Sequence, residues 1–255
     1  MQRQDHHDWA SEAYVDEWVS RQQPEDPRRA ERFQMMCDLF PFPNDATVSI
    51  LDIGAGYGAV SQYILDRYPN ATCIAQDGSE PMLHRARNLL VRYGRRFTPY
   101  QSDLFDPNWL PKSFGPFDAA VSSSCLHNLR DFKRISEIYG EIREQLKPGG
   151  VFLNLDLLNA PTAEVQRRYT GVAAARRQRE GGGREDIGAV VGRAHRSPAQ
   201  AGTGSFPANL EQQLAALRAA GFKEVDCFWK DLQRALFGGY TPIRPHTIRP
   251  DTLLG

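Results

Sequence analysis

Gly54, Gly56 and Gly58 stand at alternate positions after the short apolar run VSILDI (48–53), and a helical pattern begins at Ala59. A bare loop of this kind lets the backbone turn sharply and lets a ligand approach it to van der Waals distance. Gly54, Gly56 and Ala59 also satisfy the G-x-G-x-x-A form of the dinucleotide fingerprint, so the glycines alone do not choose among nucleotide ligands. Asp52 does choose. A dinucleotide would set its pyrophosphate on the following helix N-terminus, beside a repulsive carboxylate. A ligand carrying an ammonium and a sulfonium would be attracted, and S-adenosylmethionine is such a ligand. Asp77, at the end of the next apolar run, can accept from both ribose hydroxyls of either ligand, each charge-assisted bond contributing about 1.5–3 kcal/mol. The competing account of Asp52 is a cap on its own turn.

These residues need elements to hold them. VSILDI and TCIAQ (72–76) read as strands, with helical patterns over 59–68 and from Pro81 to about Tyr93. A strand is expected at 97–101, a buried one at FDAAVSSS (117–124), a helix over 130–146 closed by Pro148-Gly149-Gly150, and a fifth strand at VFLNLDLL (151–158). Strands alternating with helices of a dozen residues mean βαβ units on a parallel sheet with right-handed crossovers. A helix over 209–220 and a hairpin, FKEVDCFWK (222–230) with LQRALFGGY (232–240), complete the pattern. Upstream, residues 8–40 read as two helices broken at Pro24 and Pro27, the first capped by Asp8.

Six pieces in order, LDIGAGYG (51–58), AQDGSEPML (75–83), SDLFD (102–106), FDAAVSSSCLHNL (117–129), LKPGGVFLNLD (146–156) and AGFKEVDCFWK (220–230), resemble the class I S-adenosylmethionine-dependent methyltransferases from about Val48 to Tyr240. The resemblance implies an α/β, Rossmann-like fold with a seven-stranded sheet in the order 3-2-1-4-5-7-6, strand seven antiparallel, flanked by helices. It implies that Gly54, Gly56 and Gly58 line the methionine part of S-adenosylmethionine and that Asp77, with Gly78, holds the ribose. It further implies that Met82 packs near the adenine, Asp103 accepts from the adenine amino group with Leu104 beside the ring, and Ser123 runs past the methionine. Met82 also fits a helix core, and Asp103 also fits a turn. Tyr14 and Trp18 lie on a helix that in small-molecule members folds over the cofactor; packing on the sheet is the compatible alternative.

The acceptor is less explicit. His127, just after the fourth strand, is the candidate base, because imidazole titrates near neutrality; the alternative is a structural residue under the cofactor. Asp156, at the end of strand five, could orient an acceptor or cap the next loop. The place after strand four reads Ser123-Ser124-Cys125-Leu126, without the Asn/Asp-Pro-Pro-aromatic motif of enzymes that methylate exocyclic amines. The 31 basic and 31 acidic residues cancel, which argues against a nucleic-acid binder. Residues 166–196 nonetheless carry eight arginines against three acids. They read either as a solvated loop or as a lid meeting an anionic acceptor.

Two units follow: a helical cap over 1–45 and a methyltransferase domain over 46–255 with a flexible Arg/Gly-rich insertion at about 166–206. The expected function is methyl transfer to a small molecule, oxygen acceptors slightly favoured. A tRNA-directed modification enzyme and a non-catalytic S-adenosylmethionine-binding protein are the alternatives. The four cysteines form no CxxC pair and read as reduced thiols in packing roles, and no metal site is expected. No apolar run approaches the ~20 residues of a membrane span, and the first residues lack a secretory layout, so the expected location is cytoplasmic.

Overall fold

The computed structural model describes residues 7–21, 27–179 and 208–243. Seven strands form one sheet in the order β3-β2-β1-β4-β5-β7-β6, as the resemblance implied. The strands are β1 (Ser49–Ile53), β2 (Thr72–Asp77), β3 (Phe97–Gln101), β4 (Phe117–Ser123), β5 (Leu146–Leu157), β6 (Lys223–Asp231) and β7 (Arg234–Tyr240). The first five run parallel, β1 between β2 and β4, and β7 is antiparallel to both β5 and β6.

β1 and β4 are buried on both faces, which is why their sequences are continuous apolar or small-residue runs rather than alternating ones. One face carries Leu51, Ile53, Ala120 and Phe152 against α5 (Phe132–Gln145) and α7 (Leu210–Ala219). The other carries Ile50, Val121 and Leu153 against α2 (Pro27–Asp38) and α3 (Ala59–Arg67). A fully buried Leu, Ile or Phe contributes about 1.5–3 kcal/mol relative to its exposed state, so these two layers hold the strand ends in place.

Helix starts are set by side-chain caps. Ser79 accepts from the Met82 N–H at the head of α4 (Glu80–Leu89), Asp131 from the Arg134 N–H at the head of α5, and Asn209 with Gln212 forms a reciprocal capping box on α7. Four boundaries differ from the sequence reading. The first helix, α1 (Glu12–Ser20), is capped by Ser11 rather than Asp8. α4 stops at Leu89 and gives way to a 3-10 stretch over Val91–Arg96, kinked at Gly94. β5 starts at Leu146, because Leu146 already pairs with Phe117 ahead of the Pro-Gly-Gly segment. The arginine-rich segment begins as helix α6 (Ala163–Arg179); its expected flexible part at 180–206 lies outside the described residues.

Candidate active site

The carboxyl ends of β1, β2, β4 and β5 come together at one edge of the sheet, where ligands bind in open α/β folds. The glycine loop leaves β1 there. Gly54 has φ +63°, a region costly for residues with a Cβ, and a Cβ on it would lie 2.0 Å from the Cys125 Sγ. The loop is tied to β2 by Gln76, fully buried, whose Oε1 accepts from the Gly54 N–H (3.2 Å) while its Nε2 donates to the Ser102 carbonyl (2.7 Å). Asp77 Oδ2 accepts from the Gly56 N–H (2.7 Å) and Oδ1 from the Ser79 N–H (2.8 Å). Each oxygen keeps a second lone pair, which suits a vicinal diol. Burial raises the Asp77 carboxyl above its ordinary range, and the backbone donors oppose that rise.

Asp52 is 1% exposed and faces the amino end of α3. Ser61 donates its hydroxyl to Asp52 Oδ2 at 2.7 Å, and Oδ1 has no hydrogen-bond partner among the described residues. Burial pushes this carboxyl up to about 7, against the lowering effect of Ser61; the Asp77 charge raises it further. The side chain is therefore tied to the first turn of α3 through the Ser61 hydroxyl, and its other oxygen is buried without a hydrogen-bond partner among the described residues.

The remaining predicted residues are spread around this edge. A Cβ on Gly56 would sit 3.9 Å from the Met82 Sδ, so the buried Met82 sulfur lies beside the glycine loop. Gly78 is exposed, and a Cβ there would approach the Ser102 carbonyl at 3.6 Å. Asp103 is exposed and its Oδ1 accepts from the Phe105 N–H at 2.9 Å, an Asx turn; Leu104 is buried. That loop is pinned by Arg134, whose Nε donates to the Leu104 carbonyl at 2.7 Å. Ser123 is the last, half-buried residue of β4. Tyr14, on α1, bonds to His7 and is linked to the site through a series of rings: Trp9 at 5.3 Å, then Trp18 at 5.5 Å from Trp9, then Tyr57 of the glycine loop at 6.3 Å from Trp18.

At the acceptor side His127 and Asp156 meet. The imidazole Nδ1 lies 2.6 Å from Asp156 Oδ1, and the His127 N–H donates to Oδ2 at 3.0 Å. A carboxylate oxygen accepts, so Nδ1 is the donor in this contact, and the neutral imidazole in that tautomer offers its lone pair at Nε2. Asp156 is 2% exposed, whereas the imidazole is half-buried, within reach of a ligand at the sheet edge.

Cys125, Gln76 and Tyr57, which lie in or against the glycine loop, were not singled out as site residues from the sequence. Gln76 was findable as a polar residue inside an apolar strand. Cys125 was not, because its place against Gly54 arises from the β1–β4 pairing. Its half-buried thiol is pushed up by burial and then by the charges of Asp77, Asp156 and Asp52. The donor set fits S-adenosylmethionine: carboxylates around a cation, a diol acceptor and a bare loop with a buried unpaired oxygen.

This fold and site define an α/β protein that gathers a bare glycine loop, Asp52, Asp77 and the His127–Asp156 pair at the carboxyl edge of its sheet. Residues 50–150 match the family model described as a methyltransferase domain. The chain is 30% identical over 182 residues to the malonyl-[acyl-carrier protein] O-methyltransferase of Geobacter sulfurreducens, covering 71% of this chain and 58% of that protein. It is 28% identical over 152 residues to the trans-aconitate 2-methyltransferase of an Azoarcus species, covering 57% and 54%. It thus spans a little over half the length of these curated relatives. In fold it is similar to human N-acetylserotonin methyltransferase solved with S-adenosylmethionine, at a TM-score of 0.59, 17% identity, and coverage of 92% of this chain and 57% of that one. Residues 50–150 thus match a methyltransferase domain, and the chain shares the fold of a solved methyltransferase.

Proposed function

We propose that this protein transfers a methyl group from S-adenosylmethionine to a hydroxyl of a small molecule. The observation that carries this reading is the His127–Asp156 pair at 2.6 Å, set at the carboxyl edge of the sheet next to the glycine loop. A hydroxyl becomes a competent nucleophile only as it loses its proton, and Nε2 of an imidazole held in the Nδ1–H tautomer is the group to take it. S-Adenosylmethionine supplies a methyl on a sulfonium, a good leaving group for in-line displacement. Asp77 would hold the ribose, the glycine loop and Cys125 would flank the methionine, Met82 and Leu104 would flank the adenine, and Asp103 would accept from its amino group. Asp52 would balance the ammonium.

Segment 7–45 serves in this reading as a cap. Trp18 abuts Tyr57, and the Ser79 hydroxyl donates to the Trp9 carbonyl at 2.5 Å, so the cap touches both rims of the cleft. Closure of this kind excludes water from the displacement. The relatives' names support an oxygen acceptor, since the malonyl-[acyl-carrier protein] and acetylserotonin enzymes are both O-methyltransferases.

The test is formation of S-adenosylhomocysteine with a panel of hydroxylated acceptors. His127→Ala is expected to lower kcat by about 10²–10⁴-fold with little change in cofactor affinity, and Asp156→Asn to lower it less. Unchanged turnover in His127→Ala would remove the base from the mechanism.

A further inference from the structure

In sequence the glycine loop also fits a dinucleotide-binding turn, yet its N–H groups are engaged inside the protein. Gly54 donates to Gln76 Oε1 at 3.2 Å, Ala55 to the Gln76 carbonyl at 2.9 Å and Gly56 to Asp77 Oδ2 at 2.7 Å. A pyrophosphate site needs such donors aimed at the ligand. Here two residues of β2 receive three successive ones.

The same two residues hold the opposite side of the cleft. β2 lies between β1 and β3. Ser102, just past β3, donates its N–H to the Asp77 carbonyl at 3.1 Å, and its own carbonyl accepts from Gln76 Nε2 at 2.7 Å. The Gln76 side chain therefore spans from the loop after β1 to the loop after β3. A carboxamide suits that place because it accepts at one atom and donates at the other. Gln76 is 0% exposed, in a strand whose Cys73 and Ala75 are buried too. A buried amide is disfavoured there unless both its ends are bonded, and both are. Beyond Ser102 the chain runs into Asp103 and Leu104, and the Leu104 carbonyl is held by Arg134 Nε at 2.7 Å. The adenine-side loop is thus fixed at Ser102 and Leu104, the methionine-side loop at residues 54–56, and Gln76 is common to both.

We propose that Gln76 is a positioning residue for the cofactor: its carboxamide fixes the separation of the two loops, and with it the length of ligand that fills the methionine and adenine ends at once. This rests on the assignment of those loops to S-adenosylmethionine made above. A ligand with two ends gains affinity from both only when its span matches that of the sites. Gln76 touches neither end itself; it acts through the Gly54 N–H and the Ser102 carbonyl.

Calorimetry tests this with S-adenosylhomocysteine and S-adenosylcysteine, which is one methylene shorter between sulfur and amino acid. The parent is expected to prefer the longer ligand by about tenfold or more, the order that one methylene is worth in a fitted site. Gln76→Met, of similar length but without the two hydrogen-bonding ends, should weaken S-adenosylhomocysteine about tenfold and cut the preference to about threefold or less. 5′-Methylthioadenosine, which fills the adenine end alone, should keep its affinity within about threefold. Gln76→Asn keeps an amide too short to span both loops; it should behave like Gln76→Met, and it decides the outcome where the methionine variant does not melt cooperatively. A merely structural role would lower the melting temperature and weaken both amino-acid ligands by one factor, leaving the preference at the parent value. That result, unchanged affinities in both variants, an equal loss for 5′-methylthioadenosine, or a parent without preference overturns the inference and leaves the cofactor assignment standing. No binding of S-adenosylhomocysteine by folded parent overturns that assignment, and the inference with it.

Discussion

Asp52 carries a testable consequence of its burial. Its carboxyl is raised from 3.8 to about 7 because the charged form is desolvated. The folded chain therefore holds this proton where the unfolded chain has lost it. The associated stability is present below about 3.8 and is lost as pH rises through about 7, on the order of 1.4 kcal/mol per pKa unit. Asp52→Asn, which keeps the bond to Ser61, is expected to melt higher than the parent at pH 8 without cofactor and to flatten the melting profile between pH 4 and 7. Thermal scans across that range check it, and superimposable profiles would remove the charge from the argument. The same linkage makes binding of a cationic ligand tighten as pH rises through 7 in the parent and not in the variant. At this scale the sequence was most informative where residue type alone constrains chemistry, as at Asp52, Asp77 and His127. It was silent on Cys125, whose place against Gly54 depends on which strands lie side by side.

Among the elements, the turn from β1 into α3 is the most constrained. A Cβ at Gly54 would fall 2.0 Å from the Cys125 sulfur and 2.3 Å from its Cβ, at a φ of +63°. Gly54→Ala is expected to cost about 2–4 kcal/mol from the strained backbone and the overlap together, read as a shift in denaturant midpoint. Cys125→Gly in that background should return the overlap part and leave the strain. A double-mutant cycle separates the two, and strict additivity would mean the side chains do not meet. The βαβ alternation was legible because apolar runs and helical periodicity alternate with glycine and proline stops. Boundaries were less so: α4 ends at Leu89 and a 3-10 stretch kinked at Gly94 follows, and strand pairing drew Leu146 into β5 ahead of a segment that reads as a helix stop.

For the molecule as a whole, α2 of the cap packs into the core beside Ile50 and Leu153, whereas α1 and the residues before it meet the site through Trp18 on Tyr57, Ser79 on Trp9 and Arg85 on Asp16. Trp18→Ala is expected to speed proteolysis within residues 7–21 and to raise the cofactor dissociation rate several-fold, without moving the melting temperature by more than a few degrees. An unaltered dissociation rate would make the cap a bystander. The meeting of the glycine loop, Asp77 and the His127–Asp156 pair at one edge exists only because the sheet order sets β1 between β2 and β4 and β5 beside β4. The six motifs announce that order through family resemblance, whereas composition alone gives no hint of it.

Calorimetric titration of the folded protein with S-adenosylhomocysteine, and separately with NAD, puts the cleft itself to the question. A single saturable site for the sulfur nucleoside, weakened at least tenfold by Asp77→Ala and absent for NAD, is the expected result. Saturable heat from NAD, or none from the sulfur nucleoside with protein whose melting transition is intact, would contradict the account.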